Sequence, residues 1–237
     1  MPDNFNVSRV STTEGQNLLF KNANIVELMN NATFSQSFYL AVTGKTPDIK
    51  ISQMIDCILI SMITETAVSP STLCSKIAAN TGGDLNAAIA AGVCSMDKKH
   101  GLQFKEIMSE LSSSIKDMHE INLSIDEQAE ITVQHANDRK VSLPGYGNEF
   151  NSVDIRVQKL LEKAKELGFD GNYVKLALSI ETAYKNVFNL DLPLNLEGIV
   201  CAILLEMGIN PEAGPSFFMM ARIPCLVANI IDIKGWK

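Results

Sequence analysis

The segment SLPGYGNEFNSVDIR, residues 142–156, has the composition of a ligand-binding loop that leads into a helix. Its proline and two glycines allow the backbone to approach a ligand closely, and Arg156 supplies a positive charge one turn inside the helix. Ser152 is a candidate cap for that helix. Asn148 follows the second glycine, where acid–base chemistry would require an imidazole. The segment therefore predicts a binding loop and leaves its part in catalysis open.

Three further side chains are candidates for chemistry because of their surroundings. Glu197 lies in the apolar run LEGIVCAILL, where a carboxylate that faces the core needs a partner. Alternatively it lies in a first helical turn, where the helix dipole favours it without any catalytic role. Arg222, between FFMMA and IPCLV, must find an anion or reach solvent. His100, in KHGL, is either a site residue or a solvated histidine at a helix end.

Composition and charge limit the classes of function. The chain has 237 residues, 46% of them hydrophobic and 20% charged, which is typical of a soluble globular protein. Its net charge of −7 and the lack of a Lys/Arg-rich run argue against a nucleic-acid partner. Apolar runs such as residues 55–63 are shorter than the roughly 18 residues that a membrane span needs. The first twenty residues lack an apolar signal core, so we expect a cytoplasmic protein without a membrane partner.

Cysteine and histidine usage gives no indication of a metal site. The five cysteines are scattered among aliphatic residues with no CxxC pair, as expected for buried thiols in a reducing compartment. Of the three histidines, His119 and His135 lie on charged helix faces and are expected to be solvated. We therefore expect neither a metal centre nor a disulfide framework.

Helical patterns dominate the chain and predict an all-α fold of about ten helices. Gly44, with a proline three residues later, is a helix stop, and Ser124 with Glu127 forms a capping box. Pro224 should kink the last helix near Arg222. The predicted helices lie at about residues 35–44, 69–80, 84–95, 104–121, 124–138, 157–167, 172–188, 196–208 and 215–232.

Several motifs occur in a set order from about Leu18 to the end of the chain. They are SPSTLCSKIAANTGGDLNAAIAAGVCSM (69–96), KHG (99–101), PGYGN with DIR (144–156), NLEG (195–198) and FFMMARIPCLVANIID (217–232). With these motifs the chain resembles the citrate synthase superfamily. It is most similar to the compact citryl-CoA lyase type, which also forms the C-terminal module of ATP-citrate lyase.

The resemblance implies a citrate synthase-like homodimer whose subunits each have a large helical domain and a smaller lid domain. Residues 1–103 and 213–237 would form the large domain, and residues 104–212 the lid. The helix at 84–95 is rich in alanine and glycine, which suits the close packing of a dimer interface. We therefore expect a homodimer or a higher homo-oligomer.

The resemblance also implies a reaction between an acyl-CoA and a small keto or carboxylic acid. Such chemistry needs a carboxylate base, donors for the enolate and carbonyl oxygens, and arginines that hold carboxylates. By resemblance, His100 polarises the thioester carbonyl and Glu197 replaces the family's aspartate base with one more methylene. Arg156 and Arg222 match arginines that bind the acid. A coenzyme A thioester is expected as a substrate, with no bound cofactor.

At other positions the family's site residues are replaced or missing. Asn148 stands where the family has a histidine, and the catalytic histidine before SPST is replaced by one of Thr64, Glu65 or Thr66. The further arginine from beyond the last helix has no counterpart before the sequence ends at GWK. We expect Glu65 and Thr66 to contact substrate, with Asn148 as a hydrogen-bond donor to a carbonyl.

The loop itself offers further substrate contacts. The backbone of Gly145, Tyr146 and Gly147 is expected to contact coenzyme A or the acid. Tyr146 has a simpler alternative, since it is also explained as a loop aromatic. Arg156 is equally able to pair with a surface carboxylate, either Glu149 or Asp154.

Two functions compete on this sequence. The first is an active but divergent enzyme that makes or cleaves a carbon–carbon bond between an acyl-CoA and an acid. The second is a catalytically degenerate homologue that binds a coenzyme A ester or a carboxylate, or acts as a partner subunit. A purely structural scaffold explains less, because four residues fall together on family site positions.

Overall fold

The protein is helical apart from a small sheet near its start. The computed structural model describes residues 10–97, 101–147 and 154–236. The chain divides into two compact units, Met1–Asp56 and Cys57–Lys237. Eleven α-helices within the described ranges confirm the all-α class. The division into a large domain and a lid, with boundaries near 103 and 213, stays a prediction.

The small sheet is a feature that the sequence analysis missed. Its strands are β1 (Ser11–Glu14), β2 (Asn17–Phe20) and β3 (Ala23–Asn24), paired antiparallel in that order. Lys21 and Asn22 join β2 to β3 with φ values of 50° and 65°. Positive φ at both central residues is the signature of a type I′ hairpin turn. The strands are short and mostly exposed, so no alternating apolar pattern indicates them. The residues of the turn are the signal that remains.

The helices of the first unit follow directly after the sheet. They are α1 (Ile25–Asn31) and α2 (Phe34–Thr43), and α3 (Ile49–Ser61) begins in this unit. Gly44 has φ 72° and ends α2, which confirms the predicted stop.

The second unit holds the remaining helices, most of them close to the predicted ranges. The predicted capping box of Ser124 and Glu127 is present, with both reciprocal hydrogen bonds. The cap of α8 is Asp154, whose carboxylate accepts from the amide of Arg156, and Ser152 lies outside the described residues. The helices are α4 (Pro70–Asn80), α5 (Leu85–Cys94), α6 (Phe104–Glu120), α7 (Ile125–Asp138), α8 (Ile155–Leu167), α9 (Asn172–Phe188), α10 (Leu196–Glu206) and α11 (Gly214–Lys234).

Helix α10 lies at the centre of the second unit. Every residue from 198 to 205 is buried, and the helix packs against α6, α8 and α9. A helix that is apolar on all sides must be enclosed by other elements. Its first turn, which carries Glu197, is therefore the polar end of an otherwise apolar element.

Helix α11 is the longest and packs against α4, α5 and α6. It continues through Pro224 as one element, and the predicted kink near Arg222 stays a prediction. Residues 211–234 meet the length and hydropathy test for a membrane span, with a mean hydropathy of 1.5 over the best window. A third of that window is buried within the protein, and core helices pass the same test.

A close contact between α11 and the start of α6 requires glycine at position 101. Gly101 has φ 83°, and a Cβ there would overlap the ring of Phe218. That ring is itself held by Phe104, with ring centroids 5.9 Å apart.

We predict that Gly101→Ala destabilises the protein more than Gly82→Ala does. Gly82 also has positive φ, at 102°, but a Cβ there would meet open space. Backbone strain alone should cost about 1–2 kcal/mol in either variant. The clash at Gly101 should add about 1–3 kcal/mol. Urea denaturation measures both free energies of unfolding, and equal losses would contradict the packing argument.

Candidate active site

The loop before α8 is fastened to the segment before α10. Tyr146 pairs with Leu194 as an isolated β-bridge. The amide of Gly147 donates to the carbonyl of Pro193 at 2.7 Å, and the amide of Asn195 donates to the carbonyl of Gly145 at 3.0 Å. The PGYG segment is thus fastened by backbone contacts to residues 193–195, directly before α10.

Asn195 connects this loop to the helix through its side chain. Its Oδ1 accepts from the amide of Gly198 at 3.0 Å and so caps α10. Its Nδ2 donates to the carbonyl of Gly147 at 3.1 Å. The sequence analysis did not single out Asn195, although an asparagine directly before an apolar run is a recognisable cap signal.

The glycines of the loop are required by packing. Gly145 has φ 95°, and a Cβ on Gly198 would overlap the carbonyl oxygen of Gly145. Several polar groups of Gly145 and Gly147 are used in the hydrogen bonds to residues 193–195. The lack of a side chain at Gly145 and Gly198 lets the loop lie close to α10. The predicted contact of the loop with a substrate stays a prediction.

Tyr146 anchors the loop to α9. Its hydroxyl donates to the carbonyl of Ala177 at 3.0 Å, and its ring lies 5.9 Å from that of Tyr184. Burial raises the pKa of the Tyr146 hydroxyl well above its usual range. These contacts give Tyr146 a structural role as a loop aromatic, beside which its role toward substrate is a prediction.

Glu197 is the acid whose ionisation the fold changes most clearly. Burial, and secondly the charge of Glu65, raise its pKa from 4.5 to about 7. No hydrogen bond or ion pair of its carboxylate is found within the described ranges. Since Asn195 already caps α10, the Glu197 side chain is not needed for that purpose. A carboxyl group with a pKa near neutrality is suited to act as a general base or acid.

Arg156 is closely paired with its neighbour in the DIR motif. Its guanidinium lies 2.6 Å from Oδ2 of Asp154 and makes further hydrogen bonds to both carboxylate oxygens. This partner lowers the pKa of Asp154. A further hydrogen bond runs from Nη1 to the carbonyl of Ser61 at 3.3 Å. The alternative of pairing with Asp154 is therefore observed, and Glu149 lies outside the described residues.

Arg222 is buried and incompletely satisfied. It is 1% exposed, and its Nε has no hydrogen-bond partner. Nη1 donates to the carbonyl of Ile63 and Nη2 to Oγ1 of Thr72, each at 3.4 Å, which is long for a charged donor. A buried cation with such contacts has capacity to bind an anion.

Thr72 is a site residue that the sequence analysis missed. It lies in the SPST motif and is 1% exposed, and the hydroxyl of Ser69 donates to its Oγ1 at 2.9 Å. The available signal was the run of hydroxyl side chains in α4 and directly before it. They are buried, although surface positions are more usual for them: Ser69, Ser71, Thr72 and Ser75.

Glu65 is the common neighbour of the other charged groups. Its Oε2 lies 3.7 Å from Nε of Arg222, and its charge acts on both Arg156 and Glu197. The four side chains Glu65, Arg156, Glu197 and Arg222 are called the charged cluster below. Both arginines also contact the short segment 61–63, which places this cluster at the end of α3.

The structure says little about the other predicted site residues, Thr66, His100 and Asn148. The carbonyl of Thr66 accepts from the amide of Ser69 at 3.2 Å and so shapes the turn into α4. His100 and Asn148 lie outside the described residues. Gly101, which follows His100, packs on Phe218 one helical turn before Arg222. Within the described ranges, no three His, Cys, Asp or Glu side chains converge to hold a metal ion.

Comparison with known proteins points to one family. A family model for the C-terminal domain of citrate synthase matches residues 41–235. A search of curated proteins found no match.

Solved structures with similar folds include citryl-CoA lyase from Hydrogenobacter thermophilus, at 25% identity and a TM-score of 0.89. The alignment covers 98% of this chain and 88% of that one. A variant of ATP citrate lyase from Methanosaeta concilii, in complex with (3S)-citryl-CoA, matches at 19% identity and a TM-score of 0.79. Here 97% of this chain aligns with 39% of that chain. Citrate synthase from Thermotoga maritima matches at 14% identity and a TM-score of 0.60, covering 95% of this chain and 88% of that one.

We predict that Glu197→Gln stabilises the protein at neutral and alkaline pH. Because the folded-state pKa is raised, the folded protein retains a proton that the unfolded chain releases between 4.5 and about 7. Wild-type stability therefore falls as the pH rises through this window, and the variant should gain up to about 3 kcal/mol above it.

Urea denaturation at about pH 5 and about pH 8 measures this gain, which should develop mainly between the two values. Glu162→Gln is the matched control, because Glu162 is exposed and pairs only with Lys159 among the contacts of the described residues. A gain of the same size at both pH values would contradict the assigned burial.

Proposed function

Because the chain belongs to the citrate synthase family, we propose that it is an enzyme that makes or cleaves a carbon–carbon bond. Its substrates would be an acyl-CoA of the acetyl-CoA type and a small keto or carboxylic acid. The observation that carries this proposal is the charged cluster, in which Glu65 pairs with a buried arginine whose Nε is unsatisfied and acts by its charge on a carboxyl group of pKa about 7. An arginine of this kind binds a carboxylate, and a carboxylate of this kind moves a proton.

Glu197 acts as the base in the proposed reaction. In its ionised form it removes the proton alpha to the thioester carbonyl, and the electron pair moves to the carbonyl oxygen to form an enolate. His100 donates a hydrogen bond to that oxygen, as the family resemblance implies. The enolate carbon then attacks the carbonyl of the acid, and the alkoxide that forms takes a proton from water. In the opposite direction, the hydroxyl loses its proton to water as the carbon–carbon bond breaks, and protonated Glu197 returns a proton to the enolate.

The acid is held by Arg222 and Arg156, and Asn148 donates a hydrogen bond to its carbonyl oxygen. An amide does not transfer a proton as an imidazole does, so this position gives polarisation without acid catalysis. Coenzyme A enters as the thioester substrate, and the reaction needs no resident cofactor. The citryl-CoA complex of the Methanosaeta concilii ATP citrate lyase variant supports this choice of substrate class.

One observation favours a second candidate function. Each arginine of the charged cluster already has a carboxylate of the same chain beside it, Asp154 for Arg156 and Glu65 for Arg222. A degenerate homologue that retains the fold, binds a coenzyme A ester or a carboxylate, and supports a partner subunit would tolerate such pairing. The absence of proton exchange in the test below would favour this candidate.

Hydrogen–deuterium exchange tests the proposed enolisation. We expect the methyl protons of acetyl-CoA to exchange in deuterated water with the wild-type protein, with or without a keto acid. Glu197→Gln should slow this exchange about 10²–10⁴-fold, because the base is lost. Glu162→Gln should leave the rate unchanged. Proton NMR follows the methyl signal.

Two outcomes of this experiment would contradict the proposal. Lack of exchange above background with acetyl-CoA and propionyl-CoA would exclude enolisation by this protein. Undiminished exchange in Glu197→Gln would exclude Glu197 as the base.

We also propose that the chain forms a homodimer through α4 and α5. Exposed apolar side chains lie on α4 and just before it, including Val68, Leu73 and Ile77 at 73%, 41% and 62% exposure. Half of α5 is also exposed although it is apolar and rich in small residues. A solvated surface of this kind is typical of an interface between copies of a chain.

Ile77→Lys should weaken the dimer, because a buried unpaired charge costs more than a factor of about ten in the dissociation constant. The matched control is Ile121→Lys, since Ile121 is also 62% exposed and follows α6. Analytical ultracentrifugation measures both dissociation constants. A monomeric wild-type protein, or equal effects of the two substitutions, would contradict this interface.

A further inference from the structure

The unusual member of the charged cluster is Glu65. A site that binds acids by their carboxylates here contains a carboxylate of the protein itself, 3.7 Å from Nε of the buried Arg222. The side chain of Glu65 is 30% exposed, so one side of it still faces solvent. Its charge also acts on Arg156 and on Glu197, so it influences every other charge of the cluster.

The pairing of Glu65 with Arg222 is loose compared with a purely structural ion pair. Asp154 and Arg156 show the close form, with a shortest contact of 2.6 Å and three side-chain hydrogen bonds. In contrast, Glu65 makes one contact beyond hydrogen-bond distance, and Nε of Arg222 stays unsatisfied. Glu65 therefore neutralises charge while it leaves the guanidinium able to accept a ligand.

Without a substrate, the positive charges of the charged cluster and of its neighbour Asp154 are already matched by negative charges. Arg156 and Arg222 contribute two positive charges, and Asp154 and Glu65 contribute two negative charges. Glu197 adds between zero and one further negative charge, since its pKa is about 7. An incoming dicarboxylate would bring two more negative charges into this group. Like charges at close range near a protein surface repel one another, so a second substrate carboxylate beside Glu65 would weaken binding.

We propose that Glu65 determines specificity at this site, by supplying the negative charge that a second substrate carboxylate would otherwise bring to Arg222. The site then takes a 2-keto acid with a single carboxylate in preference to one with two. This inference rests on the proposed function, since it names the class of acid that the same site binds.

The test compares two acids that differ only at the far end. 2-Oxobutyrate and oxaloacetate each have four carbons, and oxaloacetate carries a carboxylate where 2-oxobutyrate has a methyl group. Isothermal titration calorimetry with the full chain, using freshly dissolved acids with and without coenzyme A, gives both dissociation constants. We expect the wild-type protein to bind 2-oxobutyrate about ten- to a hundredfold more tightly.

Glu65→Gln should shift this ratio toward oxaloacetate by about the same factor, because it removes the repelling charge and keeps the side-chain shape. Glu162→Gln should leave the ratio unchanged. If Glu65→Gln does not fold, the ratio of the two dissociation constants of the wild-type protein still tests whether the site prefers an acid with one carboxylate.

Two results would overturn the inference and leave the proposed function intact. The first is tighter binding of oxaloacetate than of 2-oxobutyrate by the wild-type protein. The second is an equal loss of affinity for both acids in Glu65→Gln. Binding of neither acid by the wild-type protein, with or without coenzyme A, would overturn the proposed function and this inference together.

Discussion

The guanidinium of Arg222 is a full positive charge within an apolar helix, and it is 1% exposed. Removing such a charge from water costs several kcal/mol unless polar groups replace its hydration. The fold supplies the carbonyl of Ile63, the hydroxyl of Thr72 and the carboxylate of Glu65. These groups come from α4 and from the segment before it, so the position of α11 against α4 and the charge of the site depend on one another.

Burial also determines the chemistry of a charged side chain at α10. Eight consecutive buried residues require neighbours on every side, and the first turn of the helix lies at the boundary of this apolar environment. Glu197 is placed there by the cap at Asn195 and by the close contact of Gly198 with Gly145. Its raised pKa is therefore a consequence of packing. The result is a carboxyl group whose pKa lies near neutrality and responds to the charge of Glu65.

Local signals explain which parts of this arrangement were predictable. The stop at Gly44 and the box at Ser124 each depend on a few adjacent residues, and both are confirmed. The hairpins near residue 20 were missed because their strands are exposed, and their turn depends on φ values that composition only suggests. Thr72 was missed for another reason, since a hydroxyl inside a helix does not reveal which distant side chain it meets.

By itself, the sequence determined the helical class, most helix boundaries and the membership of one family, because these follow from short-range periodicity, caps and ordered motifs. Only the tertiary structure decided which carboxylate pairs with which arginine. Arg222 lies more than 150 residues from Glu65 in the chain, and their contact arises from the packing of α11 on α4. The pKa of Glu197 likewise depends on burial and on a charge distant in sequence. Electrostatic free energy depends on distance and solvent exposure, and both are properties of the folded chain.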